Sequence, residues 1–400
     1  MKILIINDYI VYGGTEVQTL REKKALENNG HEVLLITLDE KISEKDNVYN
    51  EGNGFFNIPL MYSSIRRNLN RMNLLRINHR LYDVLISRVK KFAPDVIHLN
   101  NLNKEPFTVY SVIKDFKSFQ TLRDYSAICP LGTCIKPDGS ICCGYQYNNC
   151  NKVCGSSLAR KLRFSLWKDI NAYRKESIKK YISPSKKLSE FCIQNGYNTT
   201  CINNSFDFEK YKQFEKNTDF EMKKFLYYGA INTKKGIMEL LDAFEEFQKD
   251  KEVELLIAGK IYDDVKDLFE KKVTECEKIR YIGSLEYSEM MYTLRDVHTI
   301  IVPSVWMENY PNTVLEGLAL KILVIGSDRG GIPEMLSDNR GYTFDVTNKI
   351  DMIDKFNRAY MLTPTEYKDI TDSNQKYTVN NNSLDKYYSR LIAYVEEFIL

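Results

Sequence analysis

The chain has 400 residues, of which 43% are hydrophobic, with 56 basic against 54 acidic residues. This length is typical of two domains rather than one, and the apolar fraction is sufficient to build their cores. The formal net charge of +2 excludes a general electrostatic attraction to nucleic acid.

The first half of the chain alternates apolar runs with helical patterns. KILIIN at residues 2–7 is a continuous apolar run, which is typical of a buried parallel strand. Gly13 and Gly14 follow, and then an amphipathic helix is predicted over about 15–28. Further strands are predicted at 32–37, 95–100, 181–185 and 199–204. The first residues lack the pattern of a signal peptide, and no apolar run is long enough to span a membrane, so we expect a cytoplasmic protein.

The second half repeats the same alternation. Strands are predicted at 224–230, 253–259, 279–284, 298–304 and 321–327, with a helix over about 236–250. Strands separated by helices predict an α/β protein with two doubly wound, Rossmann-like domains. The polar stretch at 203–219 is the best candidate for the linker between them.

The segment PSVWMENYPNTVLEGLALKILVIGSDRGGIPEM, residues 303–335, carries the strongest functional signal. Glu308 ends a loop, and Glu316 lies eight residues later inside a predicted helix. The start of that helix offers unpaired backbone N–H groups and a positive dipole end, which favour a phosphate. One carboxylate on each side could bind hydroxyl groups, so the segment predicts a nucleotide-sugar site.

This segment resembles the E-x7-E signature of the retaining glycosyltransferases of family 4, and the resemblance extends over essentially the whole chain. It implies the GT-B fold, in which two Rossmann-like domains face a cleft and a C-terminal helix crosses back to the first domain. The expected domains are 1–203 for the acceptor, 204–383 for the nucleotide-sugar, and 384–400 as that helix. The resemblance implies that Glu308 faces the donor sugar and Glu316 the ribose hydroxyls. The other donor-binding residues expected in this loop are Asn309, Tyr310, Pro311, Asn312 and Thr313.

Three further segments match the family's site in part. Gly13 and Gly14 correspond to a loop beside the donor phosphates and the acceptor, although an ordinary tight turn would also use them. Gly229 and Lys235 match the diphosphate loop, but Ala230 stands where the family has arginine, so Lys234 or Lys235 must supply the charge unless another cation substitutes.

Asp124 matches a catalytic aspartate of the family, and Arg123 replaces the histidine before it, which leaves the donor sugar open. Asp124 could instead cap a helix or a turn. No Asp-x-Asp metal motif occurs, and we expect Lys235 and helix N-terminal amides to replace a catalytic metal, so that catalysis needs no cofactor.

Six of the nine cysteines fall between residues 129 and 154. Because disulfides are disfavoured in the cytosol, a structural zinc ion bound by Cys129, Cys142 or Cys143, Cys150 and Cys154 is one interpretation. Free thiols and disulfides remain alternatives. Residues 62–92 hold eight basic residues and one acidic residue with apolar residues at helical spacing, and 158–170 adds a second basic amphipathic run. Both segments could bind the anionic inner face of a membrane or a lipid-linked acceptor. They could equally form helices that pack on the first domain.

Together with these residues, the resemblance implies a retaining glycosyltransferase of the hexosyltransferase class. We expect it to transfer a sugar from a nucleoside-diphosphate sugar to the hydroxyl of a glycan or lipid-linked glycan in surface polysaccharide synthesis. The alternatives are an epimerase or phosphorylase of similar fold and a non-catalytic binding or scaffold protein. Ala230 and Arg123 favour the non-catalytic alternative, whereas Glu308 and Glu316 argue against it.

Overall fold

The computed structural model of the chain describes residues 1–9, 13–38, 54–60, 77–100, 102, 104–142, 144, 147–155, 157–218, 220 and 222–399. These residues form two compact units. Unit 1 comprises residues 1–205 together with 384–400, and unit 2 comprises residues 206–383. The first part of the basic segment at 62–92 and Cys143 lie outside the described residues.

Unit 1 is built on a parallel sheet of seven strands in the order β3-β2-β1-β4-β5-β6-β7. The strands are β1 (Lys2–Asn7), β2 (Glu32–Thr37), β3 (Phe55–Asn57), β4 (Val96–Leu99), β5 (Ser118–Thr121), β6 (Lys180–Ser183) and β7 (Thr199–Cys201). The helices are α1 (Gly14–Asn28), α2 (His79–Phe92), α3 (Pro106–Ile113), α4 (Tyr147–Val153), α5 (Leu158–Ser177), α6 (Lys186–Gln194) and, from the end of the chain, α14 (Leu384–Ile399).

Unit 2 is built on a parallel sheet of six strands in the order β10-β9-β8-β11-β12-β13. The strands are β8 (Lys223–Tyr228), β9 (Val253–Ala258), β10 (Ile279–Tyr281), β11 (Val297–Val302), β12 (Leu323–Ser327) and β13 (Tyr342–Phe344). The helices are α7 (Ile237–Phe247), α8 (Lys266–Glu275), α9 (Tyr287–Asp296), α10 (Asn312–Ala319), α11 (Ile332–Leu336), α12 (Lys349–Met361) and α13 (Pro364–Asn382).

The sequence explains where these elements lie. Successive residues of a strand point to opposite faces of a sheet, so Phe225 of β8 packs in one core of unit 2 and Leu226 in the other. A Thr363–Glu366 capping box starts α13, with Pro364 in its first turn. The apolar face of α14 joins the core of unit 1 through Tyr387 and Leu391. The predictions of an α/β protein with two Rossmann-like domains and of a last helix that returns to the first domain are confirmed.

The predicted helix at about 236–250 is shorter, at Ile237–Phe247. The run at 158–170 belongs to α5, in which Phe164 and Ile170 are buried while Leu158 and Leu162 are exposed. In the part of the chain that the structure describes, no helix is both long and apolar enough to cross a membrane.

Candidate active site

The carboxyl ends of β8 and β11 form the centre of the candidate site in unit 2. These two strands are neighbours in the sheet, yet the chain leaves β8 toward β9 on one side and leaves β11 toward β12 on the other. Such a topological switch point leaves a crevice at the carboxyl ends of the strands, where open α/β sheets bind ligands. The segment with Gly229 and Lys235 follows β8, and the segment with Glu308 follows β11.

The loop after β8 is fixed by contacts on both sides. The Asn232 side chain accepts a hydrogen bond from the Lys235 backbone N–H at 3.1 Å and caps a 3-10 helix at Thr233–Lys235. Asp264 accepts from the backbone and the hydroxyl of Thr233 at 3.0 and 2.7 Å. Gly236 has a φ of +71°, and a Cβ there would lie 1.8 Å from the Pro303 carbonyl oxygen, so only glycine permits this approach. Lys235 is therefore held against the loop after β11.

Glu308 is the centre of a hydrogen-bond cluster. Its Oε1 accepts from three donors, which are Lys235 Nζ at 2.6 Å, Ser304 Oγ at 2.7 Å and Trp306 Nε1 at 2.7 Å. None of the described residues donates to its other oxygen, Oε2, and the side chain is about 10% exposed. One oxygen is thus saturated by the protein, and the other can accept from a ligand.

The electrostatics of the cluster keep Glu308 ionised. Burial alone raises the pKa of its carboxyl, but the adjacent Lys235 ammonium and the hydrogen bonds from Lys235, Trp306 and Ser304 outweigh burial and hold the pKa below its usual value. A glycine turn fixes the backbone of Glu308 as well. Gly331 donates to the Glu308 carbonyl at 2.8 Å. A Cβ on Gly330, whose φ is +63°, would lie 1.8 Å from that carbonyl oxygen.

Glu316 lies in the second turn of α10 and is half-buried. Its Oε2 accepts a hydrogen bond of 2.7 Å from the hydroxyl of Tyr228, the last residue of β8. Burial and the neighbouring Glu316 carboxylate raise the pKa of Tyr228 well above its ordinary value, so this phenol stays a donor. The two glutamates that the spacing of the motif links therefore both accept a hydrogen bond from this region. Tyr228 at the end of β8 donates to Glu316, and Lys235 in the loop after β8 donates to Glu308.

The start of α10 has the character expected of a phosphate site. The helix begins at Asn312 after Pro311, and no described side chain caps it. Its first backbone hydrogen bond runs from Leu315 N to the Pro311 carbonyl, and the helix dipole places its positive end at this terminus. Tyr310, a predicted donor-binding residue, is 6% exposed, and its hydroxyl accepts from Asn382 at 3.1 Å. That side chain packs into unit 2, and its donor-binding role stays a prediction, as does that of Asn309.

In unit 1, Gly13 and Gly14 stand at the start of α1, where Glu16 already supplies an acidic side chain to the first turn. Asp124 caps a 3-10 helix at Tyr125–Ala127 by accepting from Ser126 N at 2.8 Å. The structure therefore gives Asp124 the capping role that the sequence left open, and its catalytic role stays a prediction.

Arg123 belongs to a buried network. Its guanidinium donates to Asn100 Oδ1 at 2.7 and 2.9 Å and to Asn204 Oδ1 at 2.8 Å. Arg123 also lies 3.8 Å from Glu22 Oε2. Nothing in the sequence around Arg123 indicated these partners, which come from distant segments of unit 1.

The described cysteines between 129 and 154 are thiols and form no disulfide with one another. The Cys134 thiol donates a hydrogen bond that lowers the pKa of Cys129 to about 5. Cys142, Cys150 and Cys154 line a surface pocket of about 720 Å³. Across the described residues, no three His, Cys, Asp or Glu side chains are grouped so that they could hold a metal ion. The zinc site stays a prediction, and the sequence analysis missed that Cys134 pairs with Cys129.

Three other residues of the candidate site were missed: Tyr228, Ser304 and Trp306. Ser304 and Trp306 are within the quoted motif, and Tyr228 directly precedes Gly229. Their polar side chains close to predicted site residues could have indicated them, but spacing alone does not show which way a side chain points.

Comparison with known proteins supports the fold and relates the second half of the chain to a family. The fold is GT-B, and residues 208–376 match the family model described as glycosyl transferases group 1. A Klebsiella pneumoniae protein described as an uncharacterized 42.6 kDa protein in the cps region is 24% identical over 360 residues, which cover 84% of this chain and 87% of that protein.

Among solved structures, sucrose-phosphate synthase from Thermosynechococcus elongatus superposes with a TM-score of 0.73 at 14% identity, over 99% of this chain and 98% of that one. Anabaena Alr3699/HepE in complex with UDP and glucose superposes with a TM-score of 0.71 at 13% identity, over 99% of this chain and 100% of that one. Likeness at these identities shows the shared fold.

Proposed function

We propose that this protein is a retaining glycosyltransferase of family 4 and of the hexosyltransferase class, which transfers a sugar from a nucleoside-diphosphate sugar to an acceptor hydroxyl. The observation that carries this proposal is the Glu308 carboxylate. Lys235, Ser304 and Trp306 occupy its Oε1, and Oε2 can accept from a sugar hydroxyl. The match to glycosyl transferases group 1 and the likeness to a fold that holds UDP and glucose in HepE support the same substrate class.

Each part of the donor has a proposed partner. The diphosphate binds the amides at the start of α10, near Asn312 and Thr313, and the Lys235 ammonium. Both stabilise the negative charge that develops on the leaving diphosphate. Glu316 binds the ribose hydroxyls, and Glu308 binds the sugar. Because Lys235 and the amides supply this stabilisation, the reaction requires no divalent metal.

We propose that the acceptor is a glycan or lipid-linked glycan of a surface polysaccharide, met at the inner face of a membrane. The relative from a cps region supports the polysaccharide. The exposed Leu158 and Leu162 of α5, beside the basic residues Arg160, Lys161 and Arg163, support contact with an anionic surface.

The decisive experiment is the Glu308→Gln variant with a panel of nucleoside-diphosphate sugars. The wild-type protein should release nucleoside diphosphate and form a product of retained anomeric configuration, measured by NMR. Glu308→Gln should lower turnover by roughly 100-fold or more while calorimetry finds its affinity for the diphosphate nearly unchanged. Equal losses of turnover and affinity would mean that Glu308 contacts the nucleotide. A changed sugar without acceptor would identify an epimerase, and binding without any reaction would identify a non-catalytic protein.

We keep the structural zinc ion on Cys129, Cys142, Cys150 and Cys154 as a second, separate proposal. Three of these thiols already line one pocket, and zinc would draw them together, because soft thiolates are preferred zinc ligands. Elemental analysis of protein purified without a histidine tag should find one zinc per chain. A zinc content near zero, with these thiols freely reactive in the folded protein, would reduce the cluster to reduced cysteines.

A further inference from the structure

The chain contains two tryptophans, and both donate the indole N–H in a hydrogen bond of 2.7 Å. Trp167 donates to a backbone carbonyl, that of Ser126 in unit 1. Trp306 donates to a carboxylate, Oε1 of Glu308 in unit 2. Both side chains are half-buried. The two indoles thus make bonds of the same length, but only one of them is made to the candidate site.

Trp306 also contacts the cations of the site. Lys235 Nζ lies 4.9 Å and Lys234 Nζ lies 5.8 Å from the centre of its ring, distances at which an ammonium is attracted to an indole face. The backbone holds this arrangement, since the N–H groups of Val305 and Trp306 both donate to the Lys234 carbonyl, at 3.0 and 3.2 Å. One side chain therefore links the Glu308 carboxylate to the lysines after β8.

The three donors to Glu308 differ in what else they must do. Under the proposed function, Lys235 also binds the diphosphate, and its side chain is 28% exposed on a flexible stem. Ser304 and Trp306 are neutral donors, so a diphosphate does not attract them as it attracts the ammonium. When a diphosphate attracts the Lys235 ammonium, Ser304 and Trp306 still donate to Oε1 of Glu308. Their two hydrogen bonds then hold the carboxylate, and with it Oε2, in position.

We propose that Trp306 is a positioning residue for sugar transfer: its N–H holds the Glu308 carboxylate ionised and oriented while its ring keeps the Lys235 ammonium beside the diphosphate. This inference rests on the proposed function for its effect on turnover. The hydrogen bond and its response to the nucleotide can be tested without turnover.

The kinetic test compares Trp306→Phe with Trp167→Phe. Each change removes an indole N–H and keeps an aromatic ring. Trp306→Phe should lower kcat by roughly 10- to 100-fold, the range for losing a hydrogen bond to a charged group, and leave KM for the donor and affinity for nucleoside diphosphate within about twofold. Because the carboxylate loses a donor, the pKa of Glu308 should rise, and the acidic limb of the kcat profile should move to higher pH. Trp167→Phe should change none of these.

The second test is an NMR spectrum of protein labelled with ¹⁵N-tryptophan, which gives two indole N–H signals. Adding UDP, or another nucleoside diphosphate if UDP does not bind, should shift the Trp306 signal and leave the Trp167 signal in place. Glu308→Gln should shift the same signal without nucleotide. The inference would be overturned if Trp306→Phe left kcat and the acidic limb unchanged. It would also be overturned if the Trp306 signal shifted neither on addition of nucleoside diphosphate nor in Glu308→Gln. Absence of turnover in the wild type and in Trp167→Phe would instead count against the proposed function.

Discussion

Each unit of this protein contains a buried glutamate beside a cation. The two glutamates differ in how many of their carboxylate oxygens accept hydrogen bonds from the described residues. In unit 1, Glu22 is fully buried, and its Oε1 is hydrogen-bonded to the imidazole of His98. Its Oε2 accepts a hydrogen bond from Tyr387 at 2.9 Å and lies 3.8 Å from the Arg123 guanidinium. In unit 2, all three donors to Glu308 share Oε1. Both carboxyl groups have a lowered pKa, because cations and hydrogen bonds outweigh burial.

The comparison separates two uses of the same residue type. A carboxylate with both oxygens bonded within the protein connects segments of the fold, here α1 with β4 and α14. A carboxylate whose second oxygen accepts from none of the described residues, as in Glu308, can accept a hydrogen bond from a ligand. Arg123 belongs to the first kind of site, because its guanidinium donates to Asn100 and Asn204. This cation therefore acts within the buried network of unit 1.

The largest expected effect comes from removing Glu22, whose two carboxylate oxygens are both bonded within unit 1. Glu22→Ala removes the partner of buried His98 and Arg123, and breaking a buried pair costs about 3–5 kcal/mol. Thermal and chemical denaturation should show unit 1 destabilised by this amount, while calorimetry finds unchanged affinity for nucleoside diphosphate in any fraction that stays folded. A Glu22→Ala protein of wild-type stability would contradict the structural role of the network.

Lys235→Ala tests the cation beside Glu308. The change leaves Glu308 with Ser304 and Trp306 as donors and removes the ammonium proposed for the diphosphate, so turnover should fall by roughly 100-fold. Lys271→Ala is the matched control, because that lysine forms a solvent-exposed ion pair with Glu275. Wild-type activity should survive EDTA. A strict requirement for magnesium or manganese would refute the proposed metal-free mechanism, and a parallel thermal melt would reveal loss of a structural zinc.

Glu316→Gln should weaken the nucleotide rather than the sugar. A hydrogen bond to a charged group contributes about 1.5–3 kcal/mol, so calorimetry should find the affinity for nucleoside diphosphate lowered roughly 10- to 100-fold. Tyr228→Phe removes the phenol that orients this carboxylate and should cause a smaller loss in the same direction. Unchanged affinity in Glu316→Gln would remove Glu316 from the site.

The sequence predicted the parts of this comparison unevenly. Long apolar runs such as residues 2–7 and 253–258 identified their strands, because burial on both faces leaves a continuous signal. The three-residue strands β3 and β13, with sequences FFN and YTF, were missed. The equally short β7 and β10 were found because they lie in longer predicted runs, at 199–204 and 279–284. Glu308 and Lys235 were found through a motif, although 73 residues separate them.

The hydrogen bonds that distinguish the two glutamates could not be predicted. Tyr228 reaches Glu316 across 88 residues, and Tyr387 reaches Glu22 across 365. These contacts exist only once parallel strands and the returning helix bring distant segments together. A sequence can therefore indicate that a carboxylate is present, whereas only the fold shows which of its oxygens are already occupied.

A last expected effect is a pH dependence of stability that arises in the core of unit 2 and not at either glutamate. His298 lies in an aromatic cluster, with ring centres 4.6 Å from Tyr367 and 4.9 Å from Phe220. Burial, followed by the nearby Lys223 and Lys216, lowers the pKa of His298 to about 3. The imidazole is therefore neutral in the folded protein at pH 5, whereas in the unfolded chain, with a pKa of 6.5, it is protonated.

Since the unfolded state binds the additional proton, stability from this residue is complete above pH 6.5 and falls as the pH drops toward 3. Between pH 7 and pH 5 the loss is about 2 kcal/mol, because pH 5 lies roughly 1.5 units below the unfolded pKa. His298→Phe keeps an aromatic ring and removes the titration, so its unfolding free energy should decrease less than that of the wild type over this interval. Denaturant titrations at the two pH values measure the difference, and parallel decreases in both proteins would show that His298 is protonated in the folded core.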